Sequence, residues 1–154
     1  MDGKLPGREA DALAALRAFR VQGGRSGATS VLAVRSGLVS APRAAAEILS
    51  GGSAYRRDVE ALIEASRDAD EREAITALLL GWSGTLLADA NGDGIPEARA
   101  AYRNGAIVRF ELDLDQDGRA ELAVHLSEGA PVRAEAVLSG ETVSVAYGAW
   151  PGVA

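Results

Sequence analysis

The chain has 154 residues, of which 47% are apolar and 25% charged, a composition that can bury one sizeable core or two small ones. No apolar run approaches the ~20 residues a bilayer-spanning helix needs, and the absence of cysteine excludes disulfides, thiolate nucleophiles and cysteine-based zinc sites. Residues 1–80 balance 11 acidic against 11 basic side chains, whereas residues 81–154 hold 11 acids against 5 Arg. The whole net charge of −6 therefore lies in the second half, a distribution that disfavours a nucleic-acid partner.

In chain order, Pro6 to Arg20 predicts a helix presenting Leu13, Leu16 and Phe19, and Gln22 to Gly27 a loop. Thr29 to Val39 fits either period: Val31, Val34 and Leu38 suit a helix, the run Thr29 to Val34 would also suit a strand, and helix is the expectation. Ser40 is a candidate N-cap, with Pro42 in the first turn of a helix reaching Leu49, and Gly51-Gly52 ends it. From Ser53 to about Ser66, Tyr55, Val59, Leu62 and Ile63 share one helical face, opposite Arg56, Arg57, Glu60 and Glu64. Asp70, with Glu73 three residues on, predicts a capping box and a helix burying Ile75, Leu78, Leu79 and Trp82. These helical hairpins resemble tetratricopeptide-type α-α repeats faintly, without their consensus positions.

From Thr85 the apolar period changes from 3.6 to 2. Val108, Phe110 and Leu112 alternate with Arg109 and Glu111; Leu122, Val124 and Leu126 repeat the pattern, as do Val143, Val145 and Tyr147. Short turns at Arg103 to Gly105, Ser127 to Pro131 and Ser139 to Glu141 predict an antiparallel meander of five or six strands. Sliding this half by 24 residues lays Asp89, Asp93, Gly94, Glu97, Gly105, Val108 and Arg109 on Asp113, Asp117, Gly118, Glu121, Gly129, Val132 and Arg133. A shortened third unit is expected over Ala134 to Tyr147. The fold class is thus α+β: about five short helices in hairpins (residues 1–84), then a β-meander with acidic loops between strands (residues 85–154).

The repeated motif is D-x-[DN]-x-D-G-x-x-E. Oxygens at positions 1, 3, 5 and 9 and a backbone carbonyl at position 7 suit a hard cation that takes six to eight oxygen ligands, and Gly at position 6 permits the turn. In the first loop the candidate ligands are Asp89, Asn91, Asp93, Ile95 through its carbonyl, and Glu97; in the second they are Asp113, Asp115, Asp117, Arg119 through its carbonyl, and Glu121. The purely oxygen donor set argues for Ca2+, up to two ions in a structural role, and against zinc or copper. An EF-hand would need a Glu at position 12, where Ala100 and Val124 stand, and helical flanks. The loops resemble instead those of integrin-type FG-GAP and VCBS-type repeats, in which a similar loop joins two strands and an apolar residue such as Leu122 follows the last acid. The resemblance covers about 45 residues and implies calcium at the loops; two loops are too few for a propeller. Asn91-Gly92, Asp93-Gly94 and Asp117-Gly118 also suit plain hairpin turns whose acids keep the loops hydrated.

Other chemistry has less support. His125, the single histidine, falls on the strand face opposite Val124, which excludes a multi-histidine metal site and makes it a surface residue. Gly23 to Ser30 lacks Gly-Lys-Ser/Thr, so it is no phosphate loop. Glu111, Glu121 and Glu135 could meet across strands, beside His125, as an enzyme of unknown type would require. Trp82 and Trp150 are expected to close the interface between the halves. The expected function is a noncatalytic, calcium-binding structural or protein-interaction module of a bacterial envelope or secreted protein. Its partner would be an unidentified protein or envelope component, in a compartment where free calcium is plentiful; no secretory signal is visible at Met1 to Pro6.

Overall fold

The computed structural model describes residues 6–22, 26–138 and 140–148. Among them the chain forms five helices, α1 (Pro6–Val21), α2 (Gly27–Arg35), α3 (Ala41–Leu49), α4 (Arg56–Glu64) and α5 (Ala69–Gly81). Seven strands complete the fold: β1 (Ser53–Tyr55), β2 (Gly84–Ala88), β3 (Ala98–Arg103), β4 (Ala106–Leu112), β5 (Leu122–Ser127), β6 (Ala130–Leu138) and β7 (Glu141–Ala146). The α+β class and the helix-then-sheet order agree with the sequence. Trp150 lies outside the described residues, as does Ser139 of the last turn.

Local chemistry explains the helix starts. α2 is helical because Ser26 and Thr29 cap reciprocally: Ser26 Oγ accepts from Thr29 N (3.3 Å) and Thr29 Oγ1 from Ser26 N (3.0 Å). Ser40 occupies the N-cap of α3 without a side-chain cap bond, and Pro42 supplies the fixed φ. α5 is capped two residues earlier than expected: Asp68 Oδ1 accepts from Glu71 N at 2.9 Å. Asp70 and Glu71 instead place negative charge in the first turn, where the helix dipole favours it. Glu71 also accepts from Arg67 N (3.0 Å), and hydrogen bonds from the Arg67 guanidinium and backbone hold its carboxyl below the usual 4.5.

Alanine-rich packing makes the helical core. Val31, Val34, Ala41, Ala44, Ala45, Leu62 and Ile75 form one buried cluster; Leu49, Ala54 and Val59 form a second that meets Trp82 and Leu86 at the sheet. Ala41, Ala44 and Ala45 let α3 approach its neighbours closely, and Leu62 and Ile75, both fully buried, fill the remaining volume. Leu78, expected inside, is 38% exposed.

The helical half also contributes to the sheet. Ser53 to Tyr55, expected to begin a helix, form β1, which pairs parallel with β2, and β2 to β7 continue as an antiparallel meander in sequence order. Ala54, 5% exposed, is the inward residue of this short strand. Cross-strand register places Leu86, Ala100, Phe110, Val124, Ala134 and Val145 in one row and Leu87, Arg99, Glu111, Ala123, Glu135 and Ser144 in the row on the opposite face. The helices cover the apolar face at β1 and β2, leaving a cleft of about 380 Å³ walled by Val59, Ile63, Leu79, Leu86, Tyr102 and Phe110. Farther out the face is open, with Val143 and Val145 on β7 exposed.

The 24-residue repeat is carried by the backbone. Asp113 N donates to Glu97 O (2.8 Å), and one unit later Val137 N donates to Glu121 O (2.9 Å). Bulges skip Val108 on β4 and Val132 on β6. Positive φ recurs at Asn104 and Glu128, Gly105 and Gly129, and Gly92, Gln116 and Gly140. In the third unit Val137 stands where Asp89 and Asp113 begin their loops, so that loop has lost its first acid.

Gly105 ties the first hairpin to the helices. Its N–H donates to Trp82 O (2.8 Å), its φ is +75°, and a Cβ there would lie 2.2 Å from the Leu80 carbonyl oxygen. Gly105→Ala is therefore expected to lower stability by about 1–3 kcal/mol, read from the urea midpoint. Gly129→Ala, with the same φ sign but nothing within 4 Å, should lose less. The Trp82 indole N–H donates to Leu49 O (2.9 Å), anchoring the same junction.

Candidate metal centre

Both acidic loops lie at one end of the meander, residues 89–97 between β2 and β3 and residues 113–121 between β4 and β5. In the second, one carboxylate oxygen each from Asp113, Asp115, Asp117 and Glu121 lies within 4.8 Å of the others. Oxygens bound to one calcium at ~2.3–2.6 Å stand at most roughly 5 Å apart, so this group could hold a metal ion. Asp117 N donates to Asp115 Oδ1 (3.2 Å), Arg119 N to Asp117 Oδ1 (2.8 Å) and Leu114 N to Glu121 Oε2 (2.7 Å). These bonds aim the carboxylates while leaving each a second oxygen.

Asp113 is the unusual member. Its side chain is 1% exposed; Oδ2 receives one long contact from Arg99 Nη1 (3.4 Å), and Oδ1 is buried with no hydrogen-bond partner among the described residues. A buried carboxylate oxygen without a donor costs free energy, and three further carboxylates beside it add repulsion. A cation at the centre of the cluster would remove both costs.

The first loop is built differently. Asp89 Oδ1 accepts from Gly92 N (2.7 Å); Oδ2 accepts from Gly94 N (3.1 Å) and from Arg57 Nη1 (3.0 Å). The sequence shows no base within this loop, yet α4 delivers one to it. Asp93 Oδ1 accepts from Ile95 N (2.8 Å) and Gln116 Nε2 (3.2 Å), and Oδ2 from Asn91 Nδ2 (3.0 Å). Glu97 accepts from Ala90 N and Asn91 N. Among the described residues the one convergent group of three or more acidic or histidine side chains is that of the second loop; Asp89, Asp93 and Glu97 form no such group.

The Ile95 N–H, ahead of the amides of Gln116 and Asn91, holds Asp93 below its ordinary 3.8. A lowered carboxyl pKa stabilises the fold above the unfolded value, and that contribution is lost as pH falls through the folded one. The contribution of Asp93 to the first loop should therefore be present above pH 3.8 and fade as the pH falls below it. Amide exchange at Ile95, whose N–H donates to Asp93, checks this across that range, and Asp93→Asn should remove the Asp93 part of the dependence.

Of the enzyme-type constellation, Glu111 and Glu135 line one small cleft on the polar face, each held in an ion pair, while Glu121 belongs to the carboxylate group of the second loop. Glu111 takes Arg109 (2.6 Å) and Glu135 takes Arg133 (2.5 Å), with His125 Nε2 3.9 Å from Glu135 Oε2 on the polar face. Sequence reasoning missed Arg57, Tyr55 and Gln116. Arg57 and Tyr55 lie more than thirty residues from the loop they hold, and Gln116 is a variable position of the motif. No helix among the described residues is long and apolar enough to cross a membrane. No protein-family model, curated protein or solved structure matches this chain.

Proposed function

We propose that this chain is a noncatalytic, calcium-binding structural or protein-interaction module in which Asp113, Asp115, Asp117, the Arg119 carbonyl and Glu121 hold one Ca2+. The observation that carries the reading is a convergent group of four carboxylates that includes Asp113, whose Oδ1 is buried and has no donor. Calcium suits the donor set better than magnesium, which demands a tighter octahedron and keeps more of its water. The ion would fasten the β4–β5 connection and so stiffen the meander from within. The open apolar face beside β7 supports an interaction role, and loops of this kind fill most readily where calcium reaches ~10⁻⁴–10⁻³ M, outside the cytosol.

Calorimetric titration of chelator-treated protein tests the reading. Saturable calcium heat that is lost in Asp113→Ala,Asp117→Ala supports it. No heat in the native chain would make the second loop an acidic turn in a metal-free β-repeat.

A further inference from the structure

We propose that the guanidinium of Arg57 is the resident cation of the first loop, so that the chain takes a single divalent ion and Arg57 sets that stoichiometry. The proposal rests on the calcium reading of the second loop and asks why a loop of matching sequence differs from it. All five ligand positions of the first loop are already met by protein donors. Asp89, with a fully buried side chain, holds Arg57. Asn91 Oδ1 accepts from Asp93 N (2.8 Å), and Asp93 and the Ile95 carbonyl share Gln116 Nε2, the latter at 3.0 Å. Glu97 is met by two backbone amides.

Arg57 is itself held in place. Its guanidinium carbon lies 4.9 Å from the centroid of the Tyr55 ring, and the Tyr55 hydroxyl donates to Gly94 O (2.9 Å) inside the same loop. A divalent ion entering here must strip a charged donor from a buried carboxylate and displace Gln116 from a carbonyl ligand. In the second loop the corresponding Asp113 has only the long contact to Arg99 and keeps one oxygen free of donors. The motif sets the loop shape, and the neighbouring helix decides whether the charge at its centre is an arginine or a metal.

Calcium stoichiometry separates the possibilities. The native chain should bind one ion and Arg57→Gln two, while Arg57→Lys, which keeps the charge, should stay at one. In the Asp113→Ala,Asp117→Ala background, adding Arg57→Gln should restore one ion to a chain that binds none. Two ions in the native chain, or one in a folded Arg57→Gln variant, would overturn the assignment of Arg57 and leave the calcium reading standing; a native chain that binds none sinks both. Amide shifts in the native chain give a readout independent of any variant. Gly92 and Gly94 should finish moving with Gly118 at one equivalent, and a later, separate phase at Gly92 and Gly94 would contradict the proposal.

Discussion

Calcium at a hundredfold excess over its dissociation constant is expected to raise the melting temperature of the chelator-treated protein by about 5–10 °C. An ion that binds only the folded chain adds about 2.7 kcal/mol at that excess, and a domain of this size moves by about 2–4 °C per kcal/mol. Asp113→Asn should abolish the shift. In the absence of metal the same variant should be no less stable than the native chain, because it removes a buried charge whose Oδ1 has no donor while Arg99 keeps an acceptor. That pairing of outcomes is diagnostic. A carboxylate kept for the fold alone would cost stability when neutralised, with or without calcium. Magnesium at the same concentration should move the transition little.

Leu62→Ala is expected to cost about 2–5 kcal/mol, the range for deleting a fully buried leucine that leaves a cavity behind. Leu62 is completely buried between α3 and α5 in the alanine-lined cluster, where Ala41, Ala44 and Ala45 have no side-chain length with which to collapse into the gap. Urea denaturation followed by far-ultraviolet circular dichroism measures the loss. Leu78→Ala, at a site 38% exposed on α5, should cost much less. Equal losses at the two positions would contradict the packing described. Calcium added to Leu62→Ala should still raise its melting temperature, since the substituted side chain lies in the helical core cluster.

How far the sequence reaches depends on how local the deciding interaction is. On apolar pattern α2 fits helix and strand alike, and the Ser26–Thr29 box, a contact across three residues, decides for helix. β1 escaped because three residues cannot show a period and its partner Thr85 to Leu87 lies more than thirty positions on. Asp68 and Asp70 both suit a cap by type; the backbone of Asp68 is extended and its carboxylate reaches Glu71 N, which residue type alone does not reveal. Alternation on β4 predicts an apolar row of Val108, Phe110 and Leu112, but the bulge at Val108 takes it out of cross-strand pairing and lets Ile107 join Tyr102. That bulge recurs at Val132, so the 24-residue repeat was legible while its local distortion was not.

The same distinction governs the site. Asp113, Asp115, Asp117 and Glu121 fall within nine residues, and the loop's own Asx-type bonds bring them together, so the motif sufficed to name them. Asp89, Asn91, Asp93, Ile95 and Glu97 share the motif, yet their surroundings come from Arg57 and Tyr55 on the helical side and from Gln116 in the next repeat. Net charge at a loop is a tertiary quantity, and a guanidinium carried in by a helix is invisible to spacing rules.

A crystal structure of the protein grown in calcium tests the central claim most directly. The account predicts one ion at about 2.3–2.6 Å from Asp113 Oδ1, from oxygens of Asp115, Asp117 and Glu121 and from the Arg119 carbonyl, with Arg57 still on Asp89. An ordered second loop whose Asp113 Oδ1 meets only a protein donor or a water would contradict it.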